Sequence, residues 1–325
     1  MALAAPLRVL VATATCALGL RGPWDGAAAP AAHPTAAGGG SDGTPGSPPQ
    51  VLQAPGRPPF RVALIKFQRT GSSLLFDVLQ EAACYGRSPE CKLRWKPEIF
   101  WDICRGQNPK CGPETALQLV RRFSTCSGAD SSCGWSLNLL RHGSLGLHIW
   151  DSIVKIISEQ PMHVIFLTRE NVAAQFLSYE LGNARREVMR YPEFYQLPGK
   201  PLTCNAFRFS ECSKAQREWV DRRVSMRVGP RRLEASIKEY ASNNLVYRSV
   251  EAGLRAANVS NLDIQRLDYE DLFRGETWDT LFRAAGVEGA PRPPMHGLTD
   301  YSRFITNFDS VKQLTRAMGY EVALM

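Results

Sequence analysis

Two short apolar runs constrain the fold of this chain most: Arg61–Phe67 (RVALIKF) and Met162–Thr168 (MHVIFLT). Continuous apolar runs of this length are typical of strands that are buried on both faces of a parallel sheet. Leu262–Leu267 predicts a third core strand, and Trp135–Leu140 predicts a further one. Because helical stretches alternate with these runs, the sequence predicts an α/β domain with a central parallel sheet flanked by helices.

The helical stretches are recognised by apolar residues at helical spacing or by a long polar composition without breaks. They are Leu74–Ala83, His148–Glu159, Asn171–Gly182 and a long basic region, Glu211–Ala257. No internal repeat is visible, so a single domain over 60–325 is expected.

The first 59 residues differ in composition from the rest of the chain. Arg8–Leu20 is apolar after one arginine and too short for an ordinary spanning helix of about 20 residues. Residues 1–20 therefore resemble a signal peptide or a signal anchor, which would tether the protein to a membrane if it is not cleaved. Residues 21–59 are rich in Ala, Gly, Pro and Ser, a composition that cannot form a core and predicts a disordered stem.

Charge favours an anionic partner. The chain has 39 Lys and Arg against 31 Asp and Glu, a formal net charge of +8. Such a surplus suits a nucleotide, an acidic glycan or a nucleic acid. Nucleic acid is disfavoured, because the sequence has no basic patch with interleaved aromatic residues and no zinc-finger or helix-turn-helix signature.

Cysteine usage indicates an oxidising compartment. Cys16 lies in the apolar N-terminal segment, and eight cysteines follow in loop-like stretches: Cys84, Cys91, Cys104, Cys111, Cys126, Cys133, Cys204 and Cys212. An even count of this kind predicts disulfides, and sequential pairing is the simplest of roughly a hundred connectivities. A zinc site is the alternative, but no CxxC pair occurs. The sequon Asn258-Val259-Ser260 also fits the secretory pathway.

The segment between the first predicted strand and its helix is suited to bind an anion. It reads Phe67-Gln68-Arg69-Thr70-Gly71-Ser72-Ser73-Leu74-Leu75. Small residues let backbone N–H groups close around a phosphate at the helix N-terminus, and the hydroxyls and Arg69 add donors and charge. An ordinary helix N-cap is the simpler alternative. A Walker A loop is disfavoured, because no Lys follows Gly71.

This segment resembles the 5′-phosphosulfate loop of sulfotransferases. Arg69, Thr70, Gly71, Ser72 and Ser73 match the usual pattern, and Gln68 replaces its proline. The resemblance implies a P-loop-NTPase-like sulfotransferase fold and 3′-phosphoadenosine 5′-phosphosulfate as co-substrate. It also implies that Arg69 neutralises the leaving phosphate and that no metal is needed.

A second segment matches the same family in type and order. Arg169 ends the second core strand and Ser178 lies nine residues later, in the run Arg169-Glu170-Asn171 followed by Gln175. In the family an arginine and a serine at such positions hold the 3′-phosphate of the nucleotide. Alternatively, Arg169 caps a helix and pairs with Glu170 or Glu187. Leu267–Leu272 and Tyr301–Tyr320 resemble later family segments.

The resemblance also implies a general base after the first helix. Glu98, in Lys96-Pro97-Glu98-Ile99-Phe100, resembles the Glu-x-Phe element of Golgi-type and bacterial members. His142 and His148 are alternatives, because histidine titrates near neutral pH. Glu98 is otherwise a surface carboxylate paired with Lys96 or Arg94.

The acceptor is expected to be a carbohydrate of the secretory pathway, in the Golgi lumen or outside the cell. A surplus of basic residues between Arg185 and Arg232 would suit an acidic glycan, and a protein tyrosine or a small alcohol is the alternative acceptor. Two other functions compete with a sulfotransferase: a nucleotide-dependent kinase of the same fold, and a lumenal protein that binds anionic glycans without catalysis.

Overall fold

Five parallel strands form the centre of the structure, a computed structural model that describes residues 59–68, 70, 72–85, 91, 93–104, 111–126, 132–199, 204, 206, 209, 212–287 and 299–322. The predicted signal segment (1–20) and all but the last residue of the predicted stem (21–59) lie outside these residues. The strands are β1 (Arg61–Lys66), β2 (Leu93–Lys96), β3 (Ser132–Leu137), β4 (Met162–Thr168) and β5 (Leu262–Asp268). They lie in the order β2-β3-β1-β4-β5.

Helices connect the strands, which is how parallel strands must be joined. They are α1 (Ser72–Cys84), α2 (Trp101–Cys104), α3 (Pro113–Ser124), α4 (Leu145–His148), α5 (Trp150–Ile157), α6 (Val172–Val188), α7 (Lys214–Asp221), α8 (Pro230–Ala256), α9 (Gly275–Ala284) and α10 (Phe308–Ala317). Short 3₁₀ turns occur at Pro192–Gln196, Tyr269–Phe273 and Tyr301–Arg303. The predicted α/β class with a central parallel sheet is confirmed.

Hydrophobic cores cover both faces of the sheet. On β1, Val62 and Leu64 pack with α1 and α9, whereas Ala63 and Ile65 pack with α3, α5, α6, α8 and α10. Side chains of a strand alternate between the two faces, so a strand covered on both sides needs the continuous apolar run that β1 has. This double burial explains why the sequence of the central strands could be recognised.

The sequence misplaced some boundaries. The strand expected at Trp135–Leu140 occupies Ser132–Leu137, because the small residues at its start fit a crowded central position. A Cβ on Gly134 would lie 2.6 Å from the Val62 carbonyl oxygen. The helix predicted to end at Gly182 continues to Val188, and the region Glu211–Ala257 is divided into α7 and α8. The second of these begins at Pro230, whose ring suits the first turn of a helix but not its interior.

The four predicted sequential disulfides are present: Cys84–Cys91, Cys104–Cys111, Cys126–Cys133 and Cys204–Cys212. Disulfides of this number fit a secreted or lumenal protein, because thiols stay reduced in the cytosol. Among the helices of the described residues, none combines the length and apolar character needed to cross a bilayer.

The strand order creates a crevice at the carboxyl edge of the sheet. The chain leaves β1 toward β2 on one side and leaves β4 toward β5 on the other, although β1 and β4 are neighbours. In open α/β sheets, ligands bind outside the carboxyl ends of the strands where the direction of the connections reverses. The crevice between the ends of β1 and β4 is therefore the expected binding site.

Helices α6 and α8 extend beyond this edge and form a wall beside the crevice. Asn244 of α8 donates to the carbonyl oxygen of Arg169 at 2.8 Å, level with the end of β4. Further out, Arg232 of α8 pairs with Glu180 of α6 at 2.8 Å. These two contacts are twelve residues apart on α8, which is about 18 Å along the helix axis at 1.5 Å per residue.

Candidate functional site

The loop after β1 brings the predicted phosphate donors to the crevice. Ser72 begins α1, which has no acidic residue in its first turn, so its N-terminal N–H groups face the carboxyl edge without a competing anion. The Thr70 side chain is fully buried, and its hydroxyl donates to the carbonyl oxygen of Phe67 at 2.8 Å. In this structure that proton therefore stabilises the turn itself. Arg69 and Gly71, and the side chain of Ser73, lie outside the described residues.

Arg169 lies at the end of β4, as the sequence predicted, and it is buried. Its guanidinium carbon lies 4.0 Å above the ring of Tyr269, and its Nε donates to Glu270 Oε1 at 3.4 Å. The alternative partners are engaged elsewhere: Glu170 pairs with Arg248, and Glu187 with Arg190. One face and one edge of the guanidinium are thus fixed by the segment after β5, and its terminal amino groups remain as further donors.

Helix α6 connects these two segments. The side-chain amide of Gln175, which is fully buried, donates to the backbone carbonyl of Gln68 at 2.6 Å. Ser178, the predicted partner of Arg169, lies three residues further along the same helix and is half-buried. The structure thus brings the loop after β1 and the helix after β4 together.

Glu98 lies at the same edge, after β2. Its carboxylate pairs with Lys66 Nζ at the end of β1, and its second oxygen is 3.7 Å from Arg141 Nη1. Its backbone N–H donates to the Ser136 hydroxyl at 2.9 Å, which joins the turn to β3. Glu98 is therefore not simply an exposed surface carboxylate.

The two histidines offered as alternative bases differ in environment. His142 is half-buried beside Trp101, with ring centres 5.9 Å apart, and its Nε2 has no hydrogen-bond partner among the described residues. Burial and, to a lesser extent, Arg141 lower the pKa of His142, while Glu98 partly opposes this. A neutral imidazole is therefore favoured next to Glu98. His148 is exposed on α4.

Two carboxyl groups at the end of β5, those of Asp268 and Glu270, complete the edge, and sequence reasoning assigned them no role in the site. Asp268 accepts a hydrogen bond from the Glu170 N–H at 2.5 Å, and burial together with the neighbouring Glu270 raises the pKa of Asp268 to about 8. Like-charged carboxylates in a shared site cannot both ionise easily. Because both residues come shortly after the predicted strand Leu262–Leu267, the sequence could have placed them at the carboxyl edge of the sheet.

Tyr247 of α8 was also missed. Its fully buried hydroxyl accepts from the Leu139 N–H at 3.0 Å and lies 2.8 Å from the Lys66 carbonyl oxygen and 2.9 Å from Asn138 Oδ1. Burial raises the pKa of Tyr247, so the phenol stays neutral. It therefore ties the ends of β1 and β3 together below the crevice.

In the part of the chain that the structure describes, four of the twelve basic residues between Arg185 and Arg232 form ion pairs with carboxylates, and only one of those carboxylates, Glu180, lies outside that stretch. The ion pairs are Arg185–Asp221, Arg190–Glu187, Lys214–Glu218 and Arg232–Glu180. An open groove of about 500 Å³ next to α7 is lined by both signs of charge: Lys214, Arg217, Glu218, Asp221, Arg222 and Arg303. The stretch therefore keeps most of its positive surplus, which would suit an acidic ligand.

Among the described residues, no group of three or more His, Cys, Asp or Glu side chains is arranged to hold a metal ion. Comparison of this chain with family models, with curated proteins and with solved structures gives no match. The case for a function therefore depends on the residues of the crevice themselves.

Proposed function

We propose that this protein is a sulfotransferase that moves a sulfuryl group from 3′-phosphoadenosine 5′-phosphosulfate to a hydroxyl of a glycan in the secretory pathway, in the Golgi lumen or beyond it. In this proposal the sheet belongs to the P-loop-NTPase-like sulfotransferase fold. One observation carries it: the two segments that resemble the phosphate-binding motifs of that family follow neighbouring strands and are joined by the Gln175–Gln68 hydrogen bond.

The nucleotide would lie across the ends of β1 and β4. Arg69, the N–H groups at the start of α1, and Ser72 and Ser73 would hold the 5′-phosphosulfate. Arg169 and Ser178 would hold the 3′-phosphate. Because Glu270 occupies only the Nε edge of Arg169, the terminal guanidinium nitrogens can still form a two-pronged contact with a phosphate.

Transfer would proceed in line. The acceptor oxygen forms a bond to sulfur while the bond from sulfur to the 5′-phosphate oxygen breaks, and the electron pair leaves with the phosphate. Arg69 and the helix N-terminus would stabilise the charge that develops on that oxygen. Glu98 would accept the proton from the acceptor hydroxyl, which leaves 3′-phosphoadenosine 5′-phosphate and a sulfate ester as products.

The acceptor class follows from the compartment rather than from a formed pocket. Four disulfides indicate a compartment in which glycans are the abundant hydroxyl-bearing polymers. The surplus of basic residues between Arg185 and Arg232 would in addition suit an acidic glycan.

Calorimetry separates this proposal from its competitors. We expect tight binding of 3′-phosphoadenosine 5′-phosphate without added metal and little response to ATP with Mg²⁺; the reverse order of affinity would indicate a kinase. Binding of neither nucleotide, together with binding of sulfated glycans, would indicate a non-catalytic lumenal protein. Transfer of radiolabelled sulfate across glycans and tyrosine peptides then identifies the acceptor.

A further inference from the structure

Lys66 is a buried cation at the point where β1 enters the proposed phosphate loop. Only 9% of its side chain is exposed, and its ammonium group pairs with Glu98 Oε1. Arg141, whose guanidinium stacks 4.3 Å above the ring of Trp101, faces the other carboxylate oxygen. Both oxygens of Glu98 therefore face a cation, and each cation is itself held in place.

Stability alone gives little reason for this arrangement. Desolvation of two charges offsets most of the Coulomb attraction of a buried ion pair, so an apolar pair at the same position is often as stable. The other residues of β1 after Arg61 are apolar, and an apolar residue would continue that pattern.

Backbone strain is concentrated at the same place. Among the described residues, four that are not glycine have positive φ, and three of them lie here: Glu98 (48°), His142 (55°) and Ser144 (62°). Such conformations cost on the order of 1 kcal/mol or more each and cluster at functional sites. Strain together with a buried ion pair indicates a site kept for its chemistry.

Lys66 also has a fixed backbone. Its carbonyl oxygen lies within hydrogen-bond distance of the Tyr247 hydroxyl, which also contacts β3. The lysine thus links the strand that leads to the phosphate loop with the carboxylate proposed as base.

We propose that Lys66 is a positioning residue for sulfuryl transfer: with Arg141, it holds the Glu98 carboxylate in place and aims it at the acceptor hydroxyl. This inference rests on the proposed function. Its role is confined to the step in which the acceptor proton moves to Glu98 while the acceptor oxygen replaces the phosphate oxygen on sulfur. Nucleotide binding, which uses other residues, does not need the Lys66 charge.

The test uses the full chain with Lys66→Met, Lys66→Arg and, as a matched control, Lys155→Met on the exposed side of α5. We expect Lys66→Met to lower kcat about a hundredfold while KM for the nucleotide and its calorimetric affinity change less than about threefold. Lys66→Arg should restore much of kcat, and the control should match the wild type. If Lys66→Met does not fold, the uncharged variant Lys66→Gln is used instead, and its kcat and its KM for the nucleotide are compared with those of the wild type.

A double mutant separates positioning from a merely structural role. If Lys66 acts only through Glu98, Lys66→Met should lower kcat no further in a Glu98→Gln background, because the carboxylate it positions is gone. Additive losses, or a nearly wild-type kcat for Lys66→Met, overturn the inference while the sulfotransferase proposal stands. A wild-type protein that does not bind the bisphosphate overturns both.

Discussion

The side-chain amide of Gln175 donates to the backbone carbonyl of Gln68 at 2.6 Å, across the crevice between β4 and β1. The donor belongs to the helix that carries Ser178, and the acceptor belongs to the loop that carries Arg69. Because Gln175 is fully buried, its side-chain amide cannot exchange this bond for one with bulk water. It therefore fixes the distance between the two proposed phosphate-binding segments.

Replacing Gln175 with Met, which has similar volume but no donor, should weaken binding of 3′-phosphoadenosine 5′-phosphate about tenfold. A typical hydrogen bond contributes about 0.5–1.5 kcal/mol, and 1.4 kcal/mol corresponds to tenfold in affinity. Calorimetry measures the effect, with Gln118→Met on the exposed face of α3 as control. Equal affinities of both variants and the wild type would mean that the bond does not organise the site.

Some of the fold and the site could be predicted from the sequence. The strands β1 and β4 are buried on both faces, and such runs differ from helices and loops in composition. The resemblance to sulfotransferases implies that the two motifs hold one nucleotide, so their meeting at one edge of the sheet could be predicted from that resemblance but not from spacing. The strand β2, with only Leu93 fully buried, gave no such signal.

Other features depend on distant contacts. The predicted strand Arg61–Phe67 includes Lys66, but the strand pattern does not indicate its ion-pair partner Glu98, which is 32 residues away in sequence. Tyr247 reaches β1 across a separation of 181 residues. Contacts between side chains that are so far apart in sequence depend on the order of the strands in the sheet. The local spacing of apolar residues does not determine that order. The break before Pro230, by contrast, is predictable from the sequence, because proline is disfavoured in the interior of a helix.

Changing Glu98 to Gln should lower the rate of sulfate transfer about a hundredfold or more and leave binding of the bisphosphate within about threefold of the wild type, because an amide cannot accept the acceptor proton. The free energy of unfolding should fall by about 1–3 kcal/mol, since Lys66 loses its counter-charge. Steady-state kinetics, calorimetry and urea unfolding check these outcomes, with exposed Glu114→Gln as control. Unchanged turnover in Glu98→Gln would remove this residue from the mechanism.

Changing Arg169 to Ala should remove discrimination between 3′-phosphoadenosine 5′-phosphate and adenosine 5′-phosphate. The wild type should prefer the bisphosphate by about tenfold to a hundredfold, because hydrogen bonds to charged groups contribute about 1.5–3 kcal/mol. Ser178→Ala should narrow the preference by a smaller factor. Calorimetric titration of both nucleotides measures it, and an undiminished preference in Arg169→Ala would place the 3′-phosphate elsewhere.

Changing Asp268 to Asn should reduce the pH dependence of stability. The pKa of this carboxyl is raised from 3.8 to about 8 in the folded protein, chiefly by burial and then by Glu270. As pH rises from about 4 to 8, the unfolded chain releases this proton and the folded chain keeps it, so the free energy of unfolding falls. Asp268→Asn should lack this component, whereas exposed Asp309→Asn should keep it. Urea unfolding at pH 5 and pH 8 measures the difference, and parallel pH profiles for both variants and the wild type would contradict it.

Asn258 should carry an N-linked glycan when the protein is made in a eukaryotic secretory pathway. The side chain is exposed, in the turn between α8 and β5, at the edge of the sheet opposite the crevice. Its φ of 47° also suits an asparagine that ends a helix, so the residue has a structural explanation without any glycan.

Variants of the sequon distinguish the two roles. Asn258→Gly keeps the helix end and Ser260→Ala keeps the asparagine, yet both should lose the gel shift that glycosidase removes, and Ser260→Thr should retain it. Because the glycan would lie about 20 Å or more from the carboxyl edge, at roughly 3.3 Å per strand residue, turnover should be equal in all variants. If glycosidase does not change the gel mobility of the wild-type protein, Asn258 carries no glycan and serves only to end the helix.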